Sequence, residues 1–184
     1  MKATDLLRAE HENIKLLLRI MDRISLHIEK KDSFEIADLE KCIKIIKIYA
    51  GENHLRKEED ILFATLIKSG FHKNQGPVAV LRHEHEVAKE YVNDLIESIE
   101  YYKSGDNLYK EDIISNIRAY VKLIGEHINK EKNILFMMAD QKLTDEEQDI
   151  TLKALENMEK ENFSNEKSIE IQELIKQLGI KYLG

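Results

Sequence analysis

Two stretches of this chain are repeated 73 or 74 residues further on. Leu7-Arg8-Ala9-Glu10-His11-Glu12 matches Leu81-Arg82-His83-Glu84-His85-Glu86. His54-x-x-x-Glu58 followed by Ile61-Leu62-Phe63 matches His127-x-x-x-Glu131 followed by Ile134-Leu135-Phe136. Self-similarity at nearly one offset means that one structural unit is built twice. Two like hairpins packed together form a pseudo-two-fold body, and residues that match in the repeat then converge at its centre.

The repeated units read as helices. With 7 glycines and 1 proline in 184 residues, little interrupts the Lys/Glu/Ile/Leu-rich segments. The first helix is predicted from about Thr4, as N-cap, to Lys30, ended by Lys31-Asp32-Ser33. The second runs from about Ile36 to Lys68, with Gly70 closing it. The third starts at Pro77 and reaches about Lys103. The fourth runs from about Tyr109 to Ala139 on the stripe Ile113, Ile117, Tyr120, Ile124, His127, Glu131, Ile134, Met138. Short loops make neighbours antiparallel. A fifth helix opens with the capping-box pattern Thr144-x-x-Glu147 and runs to Glu161; a sixth spans about Glu166 to Leu178 and ends at Gly179. The expected fold is all-α: an up-down-up-down four-helix bundle (1–142) with two additional C-terminal helices (143–184) packed on the same domain.

Charge and cysteine content narrow the chemistry. The net charge is −7, which argues against a nucleic-acid or anionic-membrane partner. A single cysteine, Cys42, excludes a disulfide framework and a cysteine-built zinc site. The N-terminus lacks the apolar stretch of a secretory signal, and no window is apolar enough to span a membrane. The expected location is therefore cytoplasmic.

The stripes carry His11, His54, Glu58, His85, His127 and Glu131. Within each i, i+4 pair, His54 with Glu58 and His127 with Glu131, the side chains share a helix face. A carboxylate in a core costs several kcal/mol unless it is paired or metal-bound, roughly as any buried charge does. One helical histidine on an apolar face is ordinarily a core residue. Four, with two glutamates and matched by a repeat, make good sense as ligands. They can give two ions two nitrogens each, with both carboxylates bridging. A mixed N/O set with open positions favours iron or manganese over calcium or magnesium, and the two-fold arrangement disfavours a single zinc.

Other residues weigh less. His83 points roughly 200° away from His85 and should be solvated. His27 lies near a helix end and His72 in a loop. Cys42, Met137 and Met138 read as packing. Glu10, Glu84 and Glu59 are either exposed or acceptors for ligand imidazoles. Gly51 and Gly125 precede the motif histidines and suggest close helix approach, or room for a small ligand.

In Glu10-His11, His54-x-x-x-Glu58-Glu59, Glu84-His85 and His127-x-x-x-Glu131, residues 3–140 resemble the hemerythrin-like, HHE cation-binding family. The resemblance implies a bundle around two non-haem iron ions, oxo- or hydroxo-bridged and carboxylate-bridged. It implies His11, His54, His85 and His127 as terminal ligands and Glu58 and Glu131 as bridges. It also implies a response to a small gaseous or oxidant ligand (dioxygen, nitric oxide or peroxide) in redox sensing or stress response. Oxygen carriers of the family have a fifth histidine four residues from the one on the third helix; here those positions hold Leu81 and Lys89. The chain thus resembles the four-His, two-Glu branch, and simple carriage is not expected. Family members that repair iron–sulfur centres usually carry a cysteine-bearing N-terminal domain, whereas this chain starts at the first helix. An iron-handling module for such repair and a metal-free helical interaction domain are the competing readings. No general acid, nucleophile or substrate pocket is legible, so no enzymatic reaction is assigned.

Overall fold

The computed structural model describes residues 1–30 and 35–184, and all regular structure among them is helical. The elements are α1 (Ala3–Lys30), α2 (36–68), α3 (Gly76–Lys103), α4 (109–142), α5 (Asp145–Asn162) and α6 (Asn165–Leu183). The break expected at Lys31-Asp32-Ser33 lies outside the described residues. No helix among those described is long and apolar enough to cross a membrane.

The helix ends follow local chemistry. Gly70 takes φ 104°, and the N–H groups of Gly70 and Phe71 return to Ile67 and Leu66, the hydrogen-bond pair of a glycine-closed helix. Thr144 and Glu147 cap each other reciprocally at the start of α5. Two ends differ from expectation. α1 begins at Ala3, so Thr4 is not its cap; the Thr4 hydroxyl instead donates to Asp140 at 2.6 Å. α6 continues through Gly179 to Leu183. The last turn is anchored because Lys181 (2.6 Å) and the Tyr182 hydroxyl (2.7 Å) both reach the buried Asp38 of α2. Those contacts offset the helix cost of glycine, about 1 kcal/mol.

The long helices α2 and α4 are not uniform. α2 widens into π-helical turns over Ile46–Leu55 and Glu58–Leu62, and α4 does so over Glu131–Leu135. In a π turn the N–H reaches back five residues instead of four. The apolar stripe therefore advances by about one residue beyond each glutamate. In α4 the buried positions become Leu135, Phe136 and Ala139, while Ile134 is 48% and Met138 40% exposed. The straight α-helical stripe through Ile134 and Met138 is thus corrected, and Met137, at 51% exposure, does not pack either. α2 makes the same shift, burying Leu62, Phe63 and Leu66. The two glutamate-headed π turns lie at the repeat offset, so the duplication extends to backbone geometry.

The core is two apolar clusters. The smaller holds Leu7, Leu62, Phe63, Leu81, Leu135 and Phe136 among others. The larger includes Ile14, Ile46, Ala88 and Ile124. On every long helix the smaller cluster lies to one side of the motif histidine and glutamate and the larger to the other, so the polar residues form a layer between them. Phe163, Ile171, Ile175 and Leu178 of α5 to α6 belong to the larger cluster, so the C-terminal helices share the core of the bundle.

Candidate metal centre

All six sequence-predicted residues meet in that layer, each at most 6% exposed. They form two overlapping groups, His11/His54/Glu58/Glu131 and Glu58/His85/His127/Glu131. In each group one ligand atom per residue lies within 4.8 Å of the others, and Glu58 and Glu131 are common to both. The contacts follow the repeat. Glu58 is 3.3 Å from His54 on its own helix and 3.4 Å from His85 on α3. Glu131 is 3.3 Å from His127 on its own helix and 3.1 Å from His11 on α1.

Carboxylates behind the imidazoles fix the tautomers. His54 Nδ1 lies 2.7 Å from Glu10, His85 Nδ1 2.8 Å from Glu59, and His127 Nδ1 3.0 Å from Glu84. An ionised carboxylate only accepts, so each Nδ1 carries the proton and donates it. In the neutral rings Nε2 then presents a lone pair to the centre. Nε2 of His85 and Nε2 of His127 lie 3.1 Å apart, and those of His11 and His54 are also 3.1 Å apart, with the His54 tautomer alone fixed in the second pair. In the His85–His127 pair, neutral rings would set two lone pairs at that distance, which repel unless a proton or a metal ion lies between them. The carboxylates are placed in the same way: all four oxygens of Glu58 and Glu131 are buried without a hydrogen bond, with imidazole nitrogens 3.1–3.4 Å away to offset their charge. Buried carboxylates facing imidazole nitrogens are the donor set of a transition metal.

Packing holds the rings in place. Phe63 stacks on His85 at 5.9 Å between centroids, and Phe136 on His11 at 5.5 Å. The Phe63 ring comes from α2 and meets α3, whereas Phe136 comes from α4 and meets α1, as the two-fold requires. Sequence reasoning missed the lysines that hold the second carboxylates. Lys57 pairs with Glu10 and Lys130 with Glu84. Lys57 also reaches Glu159 of α5 at 2.9 Å. The signal was in the repeat itself, since both motifs read His-x-x-Lys-Glu.

The halves differ at one point. Glu59, which orients His85, corresponds to Lys132, and no hydrogen bond to His11 Nδ1 occurs among the described residues. His83 is exposed and His27 stands edge-on to Tyr182 at 6.2 Å, so neither joins the centre. Gly51 and Gly125 do not mark a close helix crossing: a Cβ on Gly125 would meet nothing within 4 Å, and one on Gly51 only the carbonyl oxygen of Ile46, at 3.5 Å.

Charge neighbours set the protonation of the metal-free centre. Burial pulls the His85 imidazole down, but the Glu58 and Glu59 carboxylates outweigh it and raise the pKa to about 9. Burial also opposes the charged form of His54 and His127, yet neighbouring carboxylates raise both. Burial would raise Glu58, but His54 and His85 hold it well below the usual carboxylate range. Protons thus compete with metal well above pH 6.5, where unperturbed imidazoles would already be neutral. A raised histidine pKa stabilises the fold fully below about pH 6.5 and loses that effect as pH climbs through the folded value. Glu58 works in the opposite direction, contributing above about pH 4.5 and losing it on further acidification. Metal-free protein is therefore expected to melt highest between about pH 4.5 and 6.5, and roughly 5–10 °C lower at pH 9.5. The increment added by metal should grow over that same rise in pH. Calorimetric melts of chelated and metal-loaded protein check both slopes.

The family model described as the hemerythrin HHE cation binding domain matches residues 2–139, a span that contains all six residues of the layer. Comparison with curated proteins and with solved structures gives no match. With three quarters of its length covered by that one model, the chain belongs to the hemerythrin HHE cation-binding domain family.

Proposed function

We propose that the chain holds two iron ions, one between His11 and His54 and one between His85 and His127, with Glu58 and Glu131 shared. The observation that carries this reading is the overlap of the two donor groups on two buried carboxylates that have no hydrogen bond. We further infer that α1 to α4 run up-down-up-down, that residues 1–142 are the metal-binding bundle, and that 143–184 extend the same domain. The proposed role is to bind or react with dioxygen, nitric oxide or peroxide in redox sensing or stress response. The proposed setting is the cytoplasm, with no nucleic-acid or membrane partner.

An iron pair supplies exchangeable coordination positions and redox electrons. The protein does the rest. Glu10, Glu59 and Glu84 keep the Nδ1 proton on their imidazoles and so aim Nε2 inward. Phe63 and Phe136 fix two ring planes. Lys57 and Lys130 hold Glu10 and Glu84 in their charged form. The smaller apolar cluster closes one side of the layer, and the larger cluster walls a cavity on the other.

The positions a fifth histidine would take are otherwise occupied. Leu81 is buried in the smaller cluster, and Lys89 is exposed and paired with Glu86 at 2.8 Å. Each donor group would then offer two imidazoles, and neither carries a third to hold its metal more firmly than the other. Iron-loaded, reduced protein is expected to change its visible spectrum in air and not to regain the original spectrum under argon. Repeated air–argon cycling checks this. Full recovery over many cycles would replace oxidant response by oxygen storage, and no spectral response to dioxygen, nitric oxide or peroxide would reject the reading.

A further inference from the structure

The larger cluster is incompletely filled. A cavity of about 450 Å³ begins at His54, Glu58, His85 and His127. It extends along α4 past Ile128 and Ile124 to Tyr120. Tyr120 precedes His127 by seven residues on the regular stretch Tyr109–Lys130. At 1.5 Å per residue that is a run of roughly 10 Å. Ile14, Ala88 and Val92 add apolar walls, and the exposed Lys47, Arg56 and Lys89 form most of the outer rim with Glu52 and Asn93. His11 and Glu131 do not line it, so the cavity meets one face of the layer only.

A diatomic gas does not need this space. At roughly 30 Å³ per small group the cavity takes on the order of 15 heavy atoms, and its volume is that of a pocket for an organic molecule. Two polar groups stand at its far end. Tyr120 is 3% exposed, and its hydroxyl has no hydrogen-bond partner among the described residues. Lys47, which matches Tyr120 in the repeat, also lies seven residues before its motif histidine. Arg56 is paired with Asp60 and Lys89 with Glu86, whereas Lys47 makes no ion pair among the described residues. A free ammonium and a free phenol hydroxyl lining one cavity suit a carboxylate, and the apolar walls suit a hydrocarbon body.

We propose that this cavity binds a monocarboxylate with an apolar body of roughly eight carbons, its carboxylate held by Lys47 and the Tyr120 hydroxyl and its far end against His54, Glu58 and His85. That the far end then meets a metal pair rests on the function proposed above; the binding itself does not.

Titration calorimetry with octanoate tests it, on chelated and on iron-loaded full-length protein, with iron counted in the same samples. One octanoate per chain is expected in both forms, with no detectable acetate binding. Octanol, lacking the charge, should bind roughly tenfold more weakly, as should octanoate to Lys47→Glu and to Tyr120→Phe. Lys47 is exposed, so Lys47→Glu leaves the core intact. Ala50→Phe, which fills the cavity, should abolish binding while the melting temperature shows the protein folded. Absence of octanoate binding to both forms would overturn the proposal. So would octanol binding as tightly as octanoate, or binding indifferent to all three variants. A low iron count with octanoate still bound would reject the metal reading and leave this one standing.

Discussion

Lys57→Ala is expected to destabilise the protein by about 3–5 kcal/mol, the usual cost of removing one partner of a buried pair, whereas Lys130→Ala, at the same place in the repeat, should cost about 0–1 kcal/mol. Both lysines pair with the carboxylate behind a motif histidine. They differ in burial: the Lys57 side chain is fully buried and that of Lys130 is 40% exposed. Without Lys57, Glu10 keeps only His54 and Asn53 as partners in an enclosed site. Without Lys130, water reaches Glu84. The asymmetry comes from α5, which lays Glu159 against Lys57 and closes that side. Glu159→Ala alone should change stability by about 0–1 kcal/mol, because this carboxylate is 40% exposed and Glu10 still holds the lysine. Denaturant melts of the three variants give the comparison. Equal costs at Lys57 and Lys130 would mean that the C-terminal helices do not seal the site.

The second large effect is on metal. Glu58→Ala and Glu131→Ala should each reduce the iron retained from two per chain to at most one, since each carboxylate belongs to both donor groups. Glu59→Ala should be milder, weakening metal affinity about 10–100-fold by freeing the His85 ring. His83→Ala should retain both irons, because His83 is exposed on the opposite side of α3 from His85. Metal analysis after gel filtration separates these outcomes. Loss of iron from His83→Ala, with retention in Glu131→Ala, would contradict the helix phasing on which the centre is built.

Much of the site was legible because duplication is visible without coordinates. A pair of matched His-x-x-x-Glu motifs identifies the inward face of α2 and α4 up to the glutamate, and the structure places all six predicted residues in one layer. Beyond the glutamate the same reasoning failed. Ile134 and Met138 continue the 3.6-residue rhythm, yet π turns rotate them outward and bring Leu135 and Ala139 in. The choice between α and π backbone at Glu131 depends on the packed layer, and no local propensity announces it. Glu10, Glu59 and Glu84 were ambiguous because a helical glutamate is usually solvated; only the fold shows an imidazole behind each. Lys57 was overlooked because fully buried lysine is rare, and its burial depends on α5, far along the chain. Gly179 looked like a helix end because the anchoring of Lys181 and Tyr182 to Asp38 is a tertiary contact.

The central claim is that the four histidines and two glutamates hold a pair of metals. Anaerobic reconstitution of the chelated protein with ferrous iron, removal of unbound metal and elemental analysis per chain test it most directly. Two irons per chain are expected. One zinc with no second metal, or fewer than one iron retained, would contradict it.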